Sequence, residues 1–505
     1  MEPFIRHNEM TYEGNAYYAQ NEFVTQTPNV VEPVNFEDIK DQLPKPIFDG
    51  HEDYIKCYYD TWKIGFGNIR KPVEGSGFVS SFIDTAFNGC LFMWDSSFIM
   101  MFTKYANHLF PFQGTLDNFY ALQHRDGFIC REIDEATGRD RFARHDPSST
   151  GPNVMPWSEL VYFENTRDME RLRKIYAPLR AYHEWYRKNH TWPDGSYFAS
   201  GWGCGMDNVP RLMPGYDHQF SHGHMIWNDI SFQQIISCNI LIRMNEELGG
   251  KDDVSDLIEE RDRIAKVVNE KLWDDKTNFY YDMWKTGELN MVKHVGAYWA
   301  LLANVVPKDK LDAFVAHLEN EAEFNRPTPV PTLSADSPNY DPRGGYWCGG
   351  VWAPTNYMIL QGLDANGYYD VSHRIAEKYL RCVVDVYNQT GTVWENYAPE
   401  ATANGYPSKD NFVGWTGLAS ISVFFEHVMG IKPEVPNNRV VWHVNHLEKH
   451  GVLQCPFGVG NLVDLVCEAR TSEDEEPQIT FKAKQPLTLV VKWKGGEKTI
   501  QSEQA

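Results

Sequence analysis

The sequence predicts a mainly α fold, with paired helices stacked round a centre, followed by a small β-sheet or β-sandwich domain. Two features carry this expectation. From about residue 46 to 433, stretches with apolar residues at helix spacing alternate with Gly-, Pro- and aromatic-rich loops. From 434 to 505 the texture changes to short β-branched runs separated by turn residues. A chain of 505 residues can bury one large core and carry one or two smaller domains.

Residues 1–45 are polar and include the extended-looking "NVVEPVNF", so they read as an N-terminal arm that adds strands to another region. Helices are expected over 168–190, 231–250, 254–273, 310–324, 371–391 and 415–430. The second of these closes on a Gly pair, a common way to end a helix. Between helices lie the loops 85–98, 123–157, 191–216, 325–356 and 390–416, which are expected to gather at one end, where functional residues usually collect. The C-terminal runs "NRVVWHVN", "GVLQCPFG", "LVDLVCEAR", "QITFKAK" and "LTLVVKWKGGEKTI" hold no constellation of acid and nucleophile. Their expected role is to shield and support the helical domain.

A net charge of −22 argues against nucleic acid or an anionic membrane surface as the main partner. No segment reaches the ~18 apolar residues of a membrane span, and the first residues do not resemble a signal peptide. Nine cysteines without a CxxC pair suit buried thiols in a reducing compartment, so a cytoplasmic location is expected. Oligomeric state is not readable. Aromatic residues make up 14% of the chain, which fits either a large core or flat faces for stacking on sugar rings.

The loops carry the chemistry. In "SGWGCGMDNVPR" (200–211), Asp207 stands among glycines with Trp202 as apolar wall and Asn208 and Arg211 as hydrogen-bonding neighbours. Cleavage of a glycosidic bond needs two carboxyl groups, one protonated by virtue of a raised pKa. Asp207 suits the protonated role, although an Asp that caps a helix or pairs with Arg211 would look the same. A partner stands in "GTVWENYAPEATANGYPSKDNFVGWTG" (391–417): Glu395 lies beside Trp394, with Trp415 further on, and Glu400 is a rival in a more polar setting. Trp94 and Asp95 open an apolar helix. Tyr346, Trp347 and Trp352 sit on a Gly-rich backbone, and "QHRDGFICREI" (123–133) adds Gln123, Asp126, Arg131 and Glu132. His218, His222 and His224 with Asp229 can be written as a metal set, but their spacing does not share one helix face, so a polar rim is the simpler reading. Hydrolysis of this kind requires no metal or cofactor, and none is expected.

"WDSSF", "GMDNVPR", "YWCGGVWAPTNY" and "ENYAPE…FVGWTG" stand here in the order and form found in inverting α-glycosidases of glycoside hydrolase family 63, which the chain resembles over roughly residues 85–425. That group includes mannosylglycerate and glucosylglycerate hydrolases and processing α-glucosidases, with trehalases more distant. The resemblance implies an (α/α)6 barrel with its active site at the loop-built mouth. It also implies that Asp207 is the general acid and Glu395 the general base, that Trp94 and Asp95 bind sugar, and that Trp347, Gly349 and Trp352 form an aromatic floor. Two positions depart from the family pattern: Val209 follows Asp-Asn where Ser is frequent, and Cys348-Gly349-Gly350 replaces Arg-Gly-Pro. Losing that Arg removes a bidentate partner for hydroxyls or a carboxylate.

The expected activity is exo-type hydrolysis of a short α-linked glycoside with inversion. Inversion needs carboxyl groups roughly 6.5–9.5 Å apart, against about 5–5.5 Å for retention. A phosphorylase or lyase on the same scaffold, or a carbohydrate-binding relative without turnover, are the alternatives.

Overall fold

The structure, a computed structural model, describes residues 14–84, 89–412 and 414–504. The first thirteen residues of the expected arm, the start of the loop at 85–98 and Val413 of the "FVGWTG" stretch lie outside the described residues.

Helical segments order the middle of the chain: α1 (Glu52–Gly67), α2 (Met93–Thr103), α3 (Asp117–Ala121), α4 (Met155–Thr166), α5 (Met169–Asn189), α6 (Asn228–Glu247), α7 (Ser255–Lys271), α8 (Trp299–Leu302), α9 (Lys308–Glu319), α10 (Ala353–Ala365), α11 (Tyr369–Thr390) and α12 (Leu418–Val428). The expected helices appear, with ends set by local chemistry. Asp168 caps α5 by accepting the Arg171 N–H at 3.0 Å, and Gly391 ends α11 in the left-handed conformation. The Gly249–Gly250 pair closes α6, the Gly250 N–H reaching the Asn245 carbonyl at 2.7 Å. Helices α1 and α4 were not among those expected. Helix α12 is wound with π geometry throughout.

Two kinds of helix alternate. Every residue of α2 and α12 is buried, whereas α7 buries only Leu257, Glu260, Ile264, Val267 and Val268 along one stripe. An apolar helix needs neighbours on all sides; an amphipathic one needs a neighbour on one. The contacts follow that rule. Helix α2 touches α4, α4 touches α6, α6 touches α8, α8 touches α10, α10 touches α12, and α12 touches α2 again. The amphipathic α5, α7 and α11 pack against this series from outside, on α6, α6 and α10.

The C-terminal region is β-sheet, as expected. Strands β4 (Ile431–Glu434), β5 (Arg439–His443), β9 (Thr488–Trp493) and β10 (Gly496–Gln501) form one sheet in that spatial order. A second sheet runs β1 (Lys45–Phe48), β6 (His450–Pro456), β7 (Leu462–Cys467), β8 (Ile479–Ala483) and β11 (Glu503–Gln504). Strand β1, where the N-terminal arm meets the helical region, lies at the edge of this sheet: Lys45 pairs with Leu453 and Phe48 with His450, antiparallel. Phe48 also meets Phe424 of α12 at 6.0 Å, joining sheet to helices. All nine cysteines are free thiols, and only Cys348 is not fully buried.

Candidate active site

Three loop junctions assemble the site. Strand β2 (Cys90–Phe92) pairs with β3 (Glu132–Asp134), Phe92 opposite Glu132, and the Met93 N–H donates to the Arg131 carbonyl at 2.8 Å. That pairing lays Arg131 and Glu132 beside Trp94 and Asp95. A second junction holds loop 344–352 against loop 394–410 through bridges Val351–Tyr397 and Gly344–Tyr406. The third is a single helical turn, Gly201–Cys204, capped by Ser200 and ended by Gly205 in the left-handed conformation. A Cβ on Gly205 would come 2.9 Å from the Trp94 ring, so only glycine lets the Asp207 loop approach that wall.

Asp207 and Glu395 line one cavity of about 1020 Å³, together with Trp94, Asp95, Arg131, Trp202, Tyr346, Trp347 and Trp415. Four expected binding residues lie elsewhere. Gln123 is buried and committed, its amide donating to the carbonyls of Gly127 and Pro178. Arg211 is buried as well. It pairs with Asp229 at 2.8 Å and Asp282 at 2.6 Å, with its guanidinium 4.1 Å from the Trp227 ring, and it makes no pair with Asp207. Trp352 lies beneath the wall, stacked on Trp347 at 4.0 Å with the planes 1° apart. Asn208 bridges loops, accepting the Trp347 N–H and donating to the Gly345 carbonyl. Glu400, the rival base, is tied by Arg326 at 2.6 Å and by Tyr340 at 2.6 Å. His218, His222 and His224 sit on a loop while Asp229 is buried against Arg211, so the four do not converge.

The two carboxyls occupy unlike electrostatic settings. Burial pushes Asp207 up to about 7; Arg131 opposes this, and the charges of Glu132 and Glu395 add to it. Burial also raises Glu395, but the Lys409 charge, the Lys409 N–H at 3.2 Å from Oε2, and the Tyr346 hydroxyl at 3.5 Å from Oε1 all favour its anion. Asp95 is held well above the usual carboxylate range, chiefly by burial. Tyr346 has φ of 63°, a strained value for a non-glycine residue that costs about 1–3 kcal/mol, and that backbone turns its phenol toward Glu395. Arg131 pairs with Glu132 at 2.6 Å and lies over Phe142 at 4.4 Å and Trp202 at 5.2 Å, so its charge is partly spent before it reaches Asp207. The arrangement sets two carboxyls, both raised by burial, in one aromatic-walled cavity, with the Lys409 charge and the Tyr346 hydroxyl opposing the shift at Glu395 alone.

Several lining residues escaped the sequence reading as site members. Phe142, Arg139, Asp140, Arg141 and Lys409 border the cavity beside Glu132, which the sequence had offered. The signal for the 132–142 group was the Asp134-Glu-Ala-Thr-Gly138 turn, which the β2–β3 pairing brings to the mouth.

Comparison with known proteins gives the family. Residues 92–418 match the family described as mannosylglycerate hydrolase MGH1-like glycoside hydrolase domain. An uncharacterized protein of Borreliella burgdorferi is 21% identical over 362 residues, 70% of this chain and 74% of its own length. A mannosylglycerate hydrolase of Thermus thermophilus is 25% identical over 350 residues, 56% of this chain and 83% of its own. In fold, the chain is similar to the crystal structure of a family 63 mannosylglycerate hydrolase, also from Thermus thermophilus, in complex with glucose. The TM-score is 0.59 at 19% identity, over 72% of this chain and 99% of that one. The chain belongs to the mannosylglycerate hydrolase MGH1-like family and is a glycoside hydrolase of the family 63 kind.

Proposed function

We propose that this glycoside hydrolase cleaves a short α-linked glycoside from its end with inversion at the anomeric carbon. Asp207 gives its proton to the leaving oxygen, and Glu395 draws a proton from the water that attacks the opposite face. The observation that carries the reading is that the two carboxyls share one cavity, Asp207 raised to about 7 by burial and Glu395 raised by burial against the opposing Lys409 charge and Tyr346 hydroxyl. Trp94, Asp95, Tyr346, Trp347 and Trp415 would hold the sugar, and Trp202 with Arg131 the leaving group. The contact series α2–α4–α6–α8–α10–α12 supports reading residues 46–433 as an (α/α)6 barrel, with 434–505 as its supporting β domain. Similarity to the mannosylglycerate hydrolase makes glycosyl-glycerates the first substrates to try, alongside α-linked disaccharides.

The test is a panel of these compounds, with proton NMR of the first-formed sugar anomer. The β-anomer should appear first, added phosphate should leave the rate unchanged, and no unsaturated product should absorb in the ultraviolet. Asp207→Asn and Glu395→Gln should each lower kcat by roughly 10²–10⁴-fold. Near-parental turnover in either variant removes that residue from its role, and first appearance of the α-anomer rules out inversion.

A further inference from the structure

Six histidines gather where the helices meet the β-sheet region. Phe48 contacts His51, His446 and His450, His446 stands 5.5 Å from His373, and His427 and His443 flank a neighbouring recess.

We propose that His373, Glu377 and His446 form a binding site for one divalent transition ion, Zn²⁺ by its donor set, which fastens α11 to the loop after β5. The candidate ligand atoms of the three residues all lie within 4.8 Å of one another. His373 and Glu377 are four apart on α11, so their side chains share one face of the helix; His446 comes from the β region. The site has an outer shell. The Nδ1–H of His373 donates to the His427 carbonyl at 2.9 Å, leaving the lone pair of Nε2 available, the arrangement that orients metal-binding imidazoles. His446 Nε2 lies 2.9 Å from the Val428 carbonyl oxygen and 3.2 Å from Glu377 Oε1, and that carboxylate oxygen is buried without a well-aligned hydrogen bond. The Val428 carbonyl and the Glu377 carboxylate oxygen thus both face the proton on His446 Nε2. When an ion binds, that proton passes to Nδ1 of His446 or to solvent, and Nε2 becomes the ligand.

The surrounding charges do not oppose a cation. Arg374 is paired with Glu319, Arg381 with Asp53 and Asp385, Lys432 with Asp364, Lys492 with Glu497, and Lys494 with Glu473. His373 borders a solvent-open recess of about 580 Å³ between α11 and the β strands, which provides a way in. The second potential ligand cluster among the described residues, His183, Cys238 and Glu260, lacks these features. It is sealed in the core, both His183 nitrogens are engaged by Ser237 and Glu260, and Arg187 stands 3.1 Å from Glu260. Two imidazoles and a carboxylate are the donors Zn²⁺ favours, with a water or the Val428 carbonyl as fourth.

The test uses the full chain, stripped with a chelator, dialysed, and titrated with Zn²⁺ by calorimetry. One ion per chain should bind with Kd of about 1 µM or tighter. His373→Ala and Glu377→Gln should each weaken it roughly 100-fold or more, because even an outer-shell partner is worth 10–100-fold. Zn²⁺ should also raise the melting temperature of the parent and not of Glu377→Gln, which preserves shape should His373→Ala fail to fold. Equal Zn²⁺ affinity in the parent and Glu377→Gln, or no ion bound near this affinity by the parent, overturns the proposal. Weak binding at the exposed histidines of the 218–224 loop is common to both proteins and cancels in the comparison.

Discussion

The side-chain oxygen of Asn208 accepts the backbone N–H of Trp347 at 2.8 Å, while its amide donates to the Gly345 carbonyl at 2.9 Å. The residue after Asp207 is thereby stitched to the loop that carries Tyr346, whose hydroxyl meets Glu395. The separation of the two carboxyls therefore depends on an exposed asparagine that touches neither. Asn208→Ala should lower kcat about 10–100-fold, since small misplacements of catalytic groups are costly. The melting temperature should move by only a few degrees, because one such bond contributes about 1 kcal/mol. Steady-state kinetics beside a thermal scan checks both, and an unchanged kcat would mean that Asp207 keeps its place without the clamp.

Activity should fall as Asp207 loses its proton. With this carboxyl at about 7, kcat/KM should decline as pH rises, with a midpoint near that value. Glu132→Gln removes a negative charge that raises Asp207, so the midpoint should move to lower pH. Arg131→Met removes the opposing positive charge and should move it to higher pH. A pH profile of kcat/KM for the three proteins decides, and a midpoint indifferent to both changes would detach the titration from Asp207.

The same proton is linked to folding. Asp207 has an ordinary value of 3.8 and is raised to about 7 in the fold. Between those pH values the folded form holds a proton that the unfolded chain has released, so this group's contribution to stability is lost as pH rises through the window. The difference is worth up to about 4 kcal/mol. Asp207→Asn, which cannot ionise, should unfold at higher urea than the parent at pH 8, with the gap closing toward pH 4. Equal midpoints at pH 8 would mean that the cavity does not penalise this charge.

Arg211 is a structural cation with two buried carboxylates depending on it. Asp282 sits well below the usual range because Arg211 and His294 outweigh the effect of its burial. Arg211→Met leaves Asp229 and Asp282 facing each other without that charge, a loss of about 3–5 kcal/mol. Arg211→Lys should recover only part of it, because one ammonium cannot make two bidentate pairs. Urea denaturation measures the loss, and a drop below about 1 kcal/mol would contradict the network.

The long amphipathic helices α5, α7, α9 and α11 were legible because their apolar residues repeat at helix spacing, a pattern that burial against one neighbour imposes. Helix α4 was not, because "MPWSELVYFENT" is apolar on several faces and follows a loop rich in Gly and Pro. At the site, Asp207 and Glu395 stood out by their aromatic and glycine-rich frames. Arg211 was misleading for a physical reason: an arginine beside a cavity acid looks the same in sequence whether it faces a ligand or two buried aspartates. Asp229 and Asp282 reach it only through the fold. The charged wall from Asp134 to Arg141 was hidden likewise, since it belongs to the cavity only after β3 pairs with β2.

Strand β1 has one further consequence. It precedes the helices in the chain, yet its hydrogen-bonding partner β6 follows them, so this strand has no strand partner while the helices form. Cutting the chain after α12 would leave its pairing edge exposed for good, along with the face of Phe48 that meets Phe424. A fragment ending there should self-associate through strand addition even with its cavity intact.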